Sequence, residues 1–209
     1  GGWGTMGSWP DYKVRLTKRI GGALSLSFAA GLAAPAAVAQ GPDPRWLDVD
    51  RSTVTLRVLG PVDDVALVMD APLTEGSVED TENPHLALVI DVAGLKVVDA
   101  GRSTAQRQAL LERVIGLDGL HGVRYTRVTY HSLSIEQPGQ GVWLIRGELE
   151  LNGRFLPLNA RAERDGDRFT GSARLVPADF GVEPMHLGLA AALVGQAVAV
   201  EFDVVLEAR

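Results

Sequence analysis

From residue 46 onward the chain alternates apolar and polar positions with a period of two. Val54, Leu56 and Val58 alternate with Thr53, Thr55 and Arg57. Leu86, Leu88 and Ile90 alternate with Ala87, Val89 and Asp91. Near the end, Val198, Val200, Phe202, Val204 and Leu206 alternate with Ala199, Glu201, Asp203, Val205 and Glu207. Period-two alternation places one set on a buried face and the other toward solvent, so these runs predict half-buried strands. Residues 142–176 define a register as well. Asn152-Gly153 is the favoured pair for a two-residue type I′ hairpin turn. Counting outward pairs Leu149 with Leu156, Gly147 with Leu158, Ile145 with Ala160 and Trp143 with Ala162. Asp165-Gly166 predicts a second such turn, pairing Ala162 with Phe169, Ala160 with Gly171 and Leu158 with Ala173. The apolar face persists through both turns. A one-residue slip would turn it to solvent, so the agreement tests the register.

That face holds many small residues: Gly147, Ala160, Ala162, Gly171 and Ala173. Small residues in a sheet wall leave space that a helix, a second sheet, bulky side chains from across the core or a ligand must fill. Two architectures stay open here, a packed sandwich and a barrel with an apolar cavity. One helix interrupts the strands. Ser103 and Gln106 have capping-box spacing, Leu110, Leu111, Val114 and Ile115 form one apolar stripe, and Gly116 ends it. Strands are expected to resume around 123–133.

The first 39 residues follow a different pattern. Lys13, Arg15, Lys18 and Arg19 precede an uncharged run from Ile20 to Val38, and Ala37-Val38-Ala39 is a small-x-small site before Gln40. A basic head, an apolar middle and a small-residue cleavage site in this order predict an export signal. The competing reading is a membrane anchor, diluted by Gly21, Gly22, Gly31, Pro35 and many alanines. The expected organisation is therefore 1–39 as extension and signal peptide, and 40–209 as one domain, entered through the linker GPDPR. The exported product is expected to be soluble and periplasmic, without a stable membrane anchor after cleavage.

Composition narrows the chemistry. The 209 residues contain no cysteine, which removes disulfides, thiol nucleophiles and thiolate metal sites. The net charge of −6 argues against nucleic acid and against electrostatic docking on anionic lipid. Removing residues 1–39 leaves 16 Lys and Arg against 25 Asp and Glu, a net charge of −9. Aromatic residues are only 6% of the chain, too few for rows of base-stacking platforms. None of His85, His121, His131 and His186 lies three to five residues from another, so no zinc-type pair exists. No Gly-x-Ser-x-Gly elbow and no glycine-rich phosphate loop occurs. Asp165-Gly166-Asp167 reads as a turn. Glu75, Glu79, Asp80 and Glu82 read as a solvated loop or edge. No catalytic residue, metal or cofactor is expected.

Several segments, taken in order, resemble one known family. Gly147-Glu-Leu-Glu-Leu-Asn-Gly153, continuing to Pro157-Leu158, resembles the G-x-L-x-L-x-G … P strand-turn-strand of the YceI-like family. Ala178-Asp179-Phe180-Gly181-Val182-Glu183-Pro184 resembles its dFGi segment. Trp46 with Ser52-Thr53-Val54 resembles its opening strands, and Arg107 through Tyr125 its helix and following strand. Asn152 stands where members often carry His, and residues 59–80 replace a His or aromatic run with Pro61, Pro72 and acids.

The resemblance implies a mainly β, lipocalin-like antiparallel barrel of about eight strands with one helix. It also implies an apolar small-molecule partner, an isoprenoid or fatty-acyl chain, held inside the barrel by a non-enzymatic carrier. The candidate ligand-binding residues are Trp143, Ile145, Leu149, Leu158, Phe169, Leu175, Val200 and Phe202. The alternative is a structural or stress-related envelope interaction protein with a filled β core. A homodimer is compatible with either.

Overall fold

The computed structural model describes residues 44–60, 64–117, 119–183, 185–186, 193–194 and 197–208. The expected signal peptide lies outside the described residues. In chain order the strands are β1 (Arg45–Trp46), β2 (Thr53–Leu59), β3 (Val65–Asp70), β4 (Leu73–Glu79), β5 (His85–Asp91) and β6 (Lys96–Val97). Helix α1 (Thr104–Ile115) follows, then β7 (Arg127–Gly139), β8 (Val142–Leu151), β9 (Arg154–Asp165) and β10 (Arg168–Leu175). The chain ends with β11 (Met185–His186), β12 (Leu193–Val194) and β13 (Ala197–Val205). β11 and β12 pair with each other, and the rest form one antiparallel sheet in the order β1-β4-β5-β7-β8-β9-β10-β13-β2-β3-β6.

The sheet curls around a single core. Leu47 joins its beginning to β13: its amide donates to the Gly76 carbonyl of β4, and it bridges Leu206 just after β13. The expected class is thus observed, a curled antiparallel sheet with one helix. The strand count differs from eight: nine described strands have six or more residues, with a two-residue strand at each end of the sheet. Within 59–80 two strands were not anticipated: β3, a continuous apolar run, and β4, where Gly76 and two glutamates interrupt the alternation. Glu75 and Glu79, expected on a solvated loop or edge, stand exposed on β4, which is paired to β5 and lies next to the end of the sheet.

The three alternating runs occupy β2, β5 and β13, with their apolar members turned inward. Helix α1 forms as expected. The Ser103 hydroxyl accepts from the Gln106 amide at 3.3 Å, and the Gln106 side chain accepts from the Ser103 amide at 2.8 Å, so two orphan donors are satisfied reciprocally. Leu110 and Val114 are its buried residues. The strand after the helix starts later than expected, at Arg127. The amides of Gly119 and His121 donate to the Gly116 carbonyl and that of Gly122 to the Ile115 carbonyl, while those of Arg124 and Tyr125 donate to the His121 carbonyl. These bonds wind the described residues of 116–125 into a compact loop in which His121 takes a left-handed φ of 48°. Val123 consequently belongs to no strand.

Candidate functional site: an apolar cavity inside the curled sheet

The β8–β9–β10 wall is built by its two turns. Asn152 (φ 54°) and Gly153 (φ 72°) both take positive φ, as a type I′ turn requires. The β8–β9 register is the one the turn predicts: Leu149 opposite Leu156, Gly147 opposite Leu158, Ile145 opposite Ala160, Trp143 opposite Ala162. The next hairpin differs. Asp165 pairs with Arg168, so the turn residues are Gly166 and Asp167, one later than expected. Gly166 has φ 59° and Asp167 does not have positive φ. That is the type II′ pattern, with glycine in the first central position. Ala162 therefore faces Gly171, and Ala160 faces Ala173. The pairing moves by two residues, an even number, so the inner face is unchanged and only the partners differ.

Rings from neighbouring strands cover two of the small residues. A Cβ on Gly147 would overlap the ring and hydroxyl of Tyr130, and one on Gly171 would overlap the Phe202 ring. Glycine at these positions lets each aromatic side chain lie flat across the adjoining strand. Tyr130 reaches from β7 over Gly147 of β8 and donates from its Oη to the Leu158 carbonyl of β9 at 3.1 Å.

Space remains beyond these rings. A cavity of about 220 Å³ lies within the curl, bounded by strands β2, β3, β4, β5, β7, β8, β9, β10 and β13, by Val114 of α1, and by Gly119 and Leu120. An apolar cavity of roughly 150 Å³ is already large enough for a benzene ring. All eight candidate residues, Trp143, Ile145, Leu149, Leu158, Phe169, Leu175, Val200 and Phe202, line it, together with Ala160, Ala162 and Ala173. The candidate set did not include several other lining residues, among them Leu56, Met69, Leu88, Leu120 and Tyr130. The alternation in β2 and β5 was the signal for Leu56 and Leu88. Leu120 and Tyr130 had no comparable signal.

The lining carries few polar groups, the Tyr130 hydroxyl and Glu183 among them. Burial pushes the Tyr130 phenol up to about 12, so it is a neutral hydroxyl near neutral pH. The rings of Trp143 and Phe169 meet edge to face at 4.9 Å. Arg164, two residues beyond Ala162 on the same face of β9, lies 5.5 Å from the Trp143 ring centre and 5.1 Å from that of Phe169. Its guanidinium holds both carboxylate oxygens of Asp80, at 3.0 and 2.7 Å. Asp80 lies exposed just after β4, as a solvated loop or edge implies, and it also fixes the arginine that caps the two rings.

Charged residues stand on the opposite face of the same strands, in pairs such as Arg57–Glu201 and Arg146–Glu136. Arg168 binds Asp203 with both sides of its guanidinium, and that hydrogen bonding holds the Asp203 carboxyl below its ordinary range. His131 lies 3.7 Å from Glu148 on this face. Among the described residues, no group of three or more His, Asp or Glu is placed to hold a metal ion. No described helix is long and apolar enough to cross a membrane.

Comparison with known proteins agrees with this geometry. A family model described as a YceI-like domain matches residues 47–206. A UPF0312 protein of a Shewanella species is 32% identical over 106 residues, covering 46% of this chain and 52% of the relative. The chain thus spans about half the length of that relative. A UPF0312 protein of Shewanella baltica is 29% identical over 141 residues, covering 56% of this chain and 70% of the relative. Among solved structures, BcnA of Burkholderia cenocepacia superposes with a TM-score of 0.60 at 18% identity, covering 76% of this chain and 98% of that one. A polyisoprenoid-binding domain from Saccharophagus degradans, implicated in plant cell wall breakdown, superposes with a TM-score of 0.53 at 14% identity, covering 78% and 98%.

Proposed function

The chain belongs to the YceI-like family, and from that premise we propose that it is a non-enzymatic binding protein which carries an apolar chain, an isoprenoid or fatty-acyl group, in the periplasm. The observation that carries this reading is the cavity itself: about 220 Å³ of space lined almost entirely by hydrocarbon. Apolar lining with few polar groups suits a ligand recognised by shape and by removal from water. The space corresponds to on the order of seven methylene groups, if each occupies about the 30 Å³ of a water molecule. At about 0.8 kcal/mol per buried CH₂, they contribute about 6 kcal/mol before association costs. The Tyr130 hydroxyl is already engaged with the Leu158 carbonyl, so the interior asks little of a ligand's polar groups. The polyisoprenoid-binding neighbour supports the ligand class, and the basic-then-apolar pattern of residues 13–39 supports export.

Native mass spectrometry and lipid extraction of the protein purified from its host test the proposal. A bound isoprenoid or acyl chain is expected, as is uptake of matching probes by the stripped protein. A ligand-free protein that takes up no such probe would overturn it and favour a structural role.

A further inference from the structure

We propose that the loop 116–125 is a membrane-docking lip, which inserts Leu117 and Val123 into a lipid leaflet so that an apolar ligand passes between bilayer and cavity. The inference rests on the carrier reading above. Leu117 is 76% exposed and Val123 is 97% exposed, the two highest values among the exposed large apolar side chains of the described residues. Both belong to the short loop that also supplies Gly119 and Leu120 to the cavity lining. Their exposure is imposed by the backbone. The loop is wound tightly by the hydrogen bonds on Gly116, Ile115 and His121, and Tyr125 seats it against the β8–β9 turn at Gly153. A compact loop that holds two apolar side chains in water, at the rim of an apolar cavity, has the form of a shallow membrane wedge.

Charge agrees with this placement. The whole chain carries −6, but the stretch from Glu112 to Arg127 has three arginines against Glu112 and Asp118, a net charge of +1. This stretch of sequence thus lacks the acidic excess of the rest of the chain. Arg124 lies along the Tyr125 ring at 5.1 Å, and Arg113 is exposed on the last turn of α1. Such long side chains keep their charges at headgroup level while apolar neighbours sink deeper. The driving force is then burial of Leu117 and Val123, which is only weakly sensitive to salt.

The chain has no cysteine, so Val123→Cys accepts an environment-sensitive fluorophore at one site. With phosphatidylcholine vesicles, the label at 123 is expected to shift to the blue and to be quenched by nitroxide-labelled lipid. A label on Asp165→Cys, at the opposite end of β9, is expected to do neither. In flotation of the full chain, Leu117→Ser with Val123→Ser should lower the vesicle-bound to free ratio contributed by the loop about tenfold or more. The affinity for a soluble apolar probe in vesicle-free buffer should be unchanged, and raising the salt should change flotation little. Equal quenching at 123 and 165, no quenching at 123, or a loss of self-association instead of vesicle binding in the double variant would each overturn the docking lip. Failure to bind any apolar probe, with or without vesicles, would overturn the carrier reading instead.

Discussion

Replacing Ala173 with Leu separates a binding cavity from a packing defect. Ala173 lines the cavity from β10, with Ala160 of β9 on one side and Val200 of β13 on the other. Leucine adds three carbon atoms at a wall where all three neighbouring positions face the same space. If the space is free, burying those carbons stabilises the fold by about 2.4 kcal/mol, at about 0.8 kcal/mol each. The same three carbons displace an equal length of ligand. The binding free energy should therefore fall by about 2.4 kcal/mol, or roughly fiftyfold in Kd. Urea unfolding should show a higher midpoint at unchanged slope, and a fluorescent fatty-acyl probe should bind more weakly. Ser172→Leu, one residue away on the outer face, serves as the control and should leave probe binding unchanged. A more stable variant with wild-type affinity would show that the ligand binds elsewhere. A variant less stable than the parent would show that the wall has no room, and would refute the volume argument.

Three further outcomes follow from the same geometry. Gly147→Val should destabilise the fold by about 1–3 kcal/mol, because the new side chain meets the Tyr130 ring and the His131 carbonyl oxygen, the latter 2.6 Å from the Cβ position; thermal unfolding measures it. Arg164→Gln removes the pair with Asp80 and the contacts to Trp143 and Phe169, and should cost about 1–2 kcal/mol in denaturant unfolding and change Trp143 fluorescence. Burial holds the Tyr130 phenol at about 12 in the folded state, against its ordinary value of 10.0. The native state thus holds the proton more tightly. The resulting stability is complete below pH 10 and is lost as pH rises toward 12, by about 2–3 kcal/mol in all. Unfolding curves across this window should show that slope in the parent and a flatter one in Tyr130→Phe.

How much could be read from the chain depends on how local the determining physics is. The β8–β9 register was legible because Asn152 and Gly153 both tolerate positive φ and leave one favourable turn. The following turn was misplaced by one residue because Asp-Gly and Gly-Asp are both acceptable two-residue turns. The choice between them lies partly outside the pair: Arg45 binds Asp167, and Arg164 donates to the Gly166 carbonyl. The helix was legible because its cap is made by two residues three apart. Strand β4 was not, since its pairing comes from β5 and not from its own alternation. The eight candidate residues were readable as one face because parity survives a two-residue error. The Arg164–Asp80 contact joins positions 84 residues apart, and no local pattern announces it. The Tyr130 ring across Gly147 is similar: its cause is a missing side chain on another strand.

The two ends of the sheet have a consequence for how copies of this molecule meet. A strand edge recruits a second chain when it offers a long row of unpaired amides and carbonyls. Here the outermost described strands, β1 and β6, are two residues each. Arg45 of β1 is tied to Asp167 and to the Glu207 carbonyl, and Leu47 closes the curl onto Leu206. β1 covers only Ser77 and Val78 of β4, and β6 covers only Met69 and Asp70 of β3, so each rim is a short, stepped edge and not one long flat strand. Such short, stepped rims are poor templates for extending the sheet from one molecule into the next.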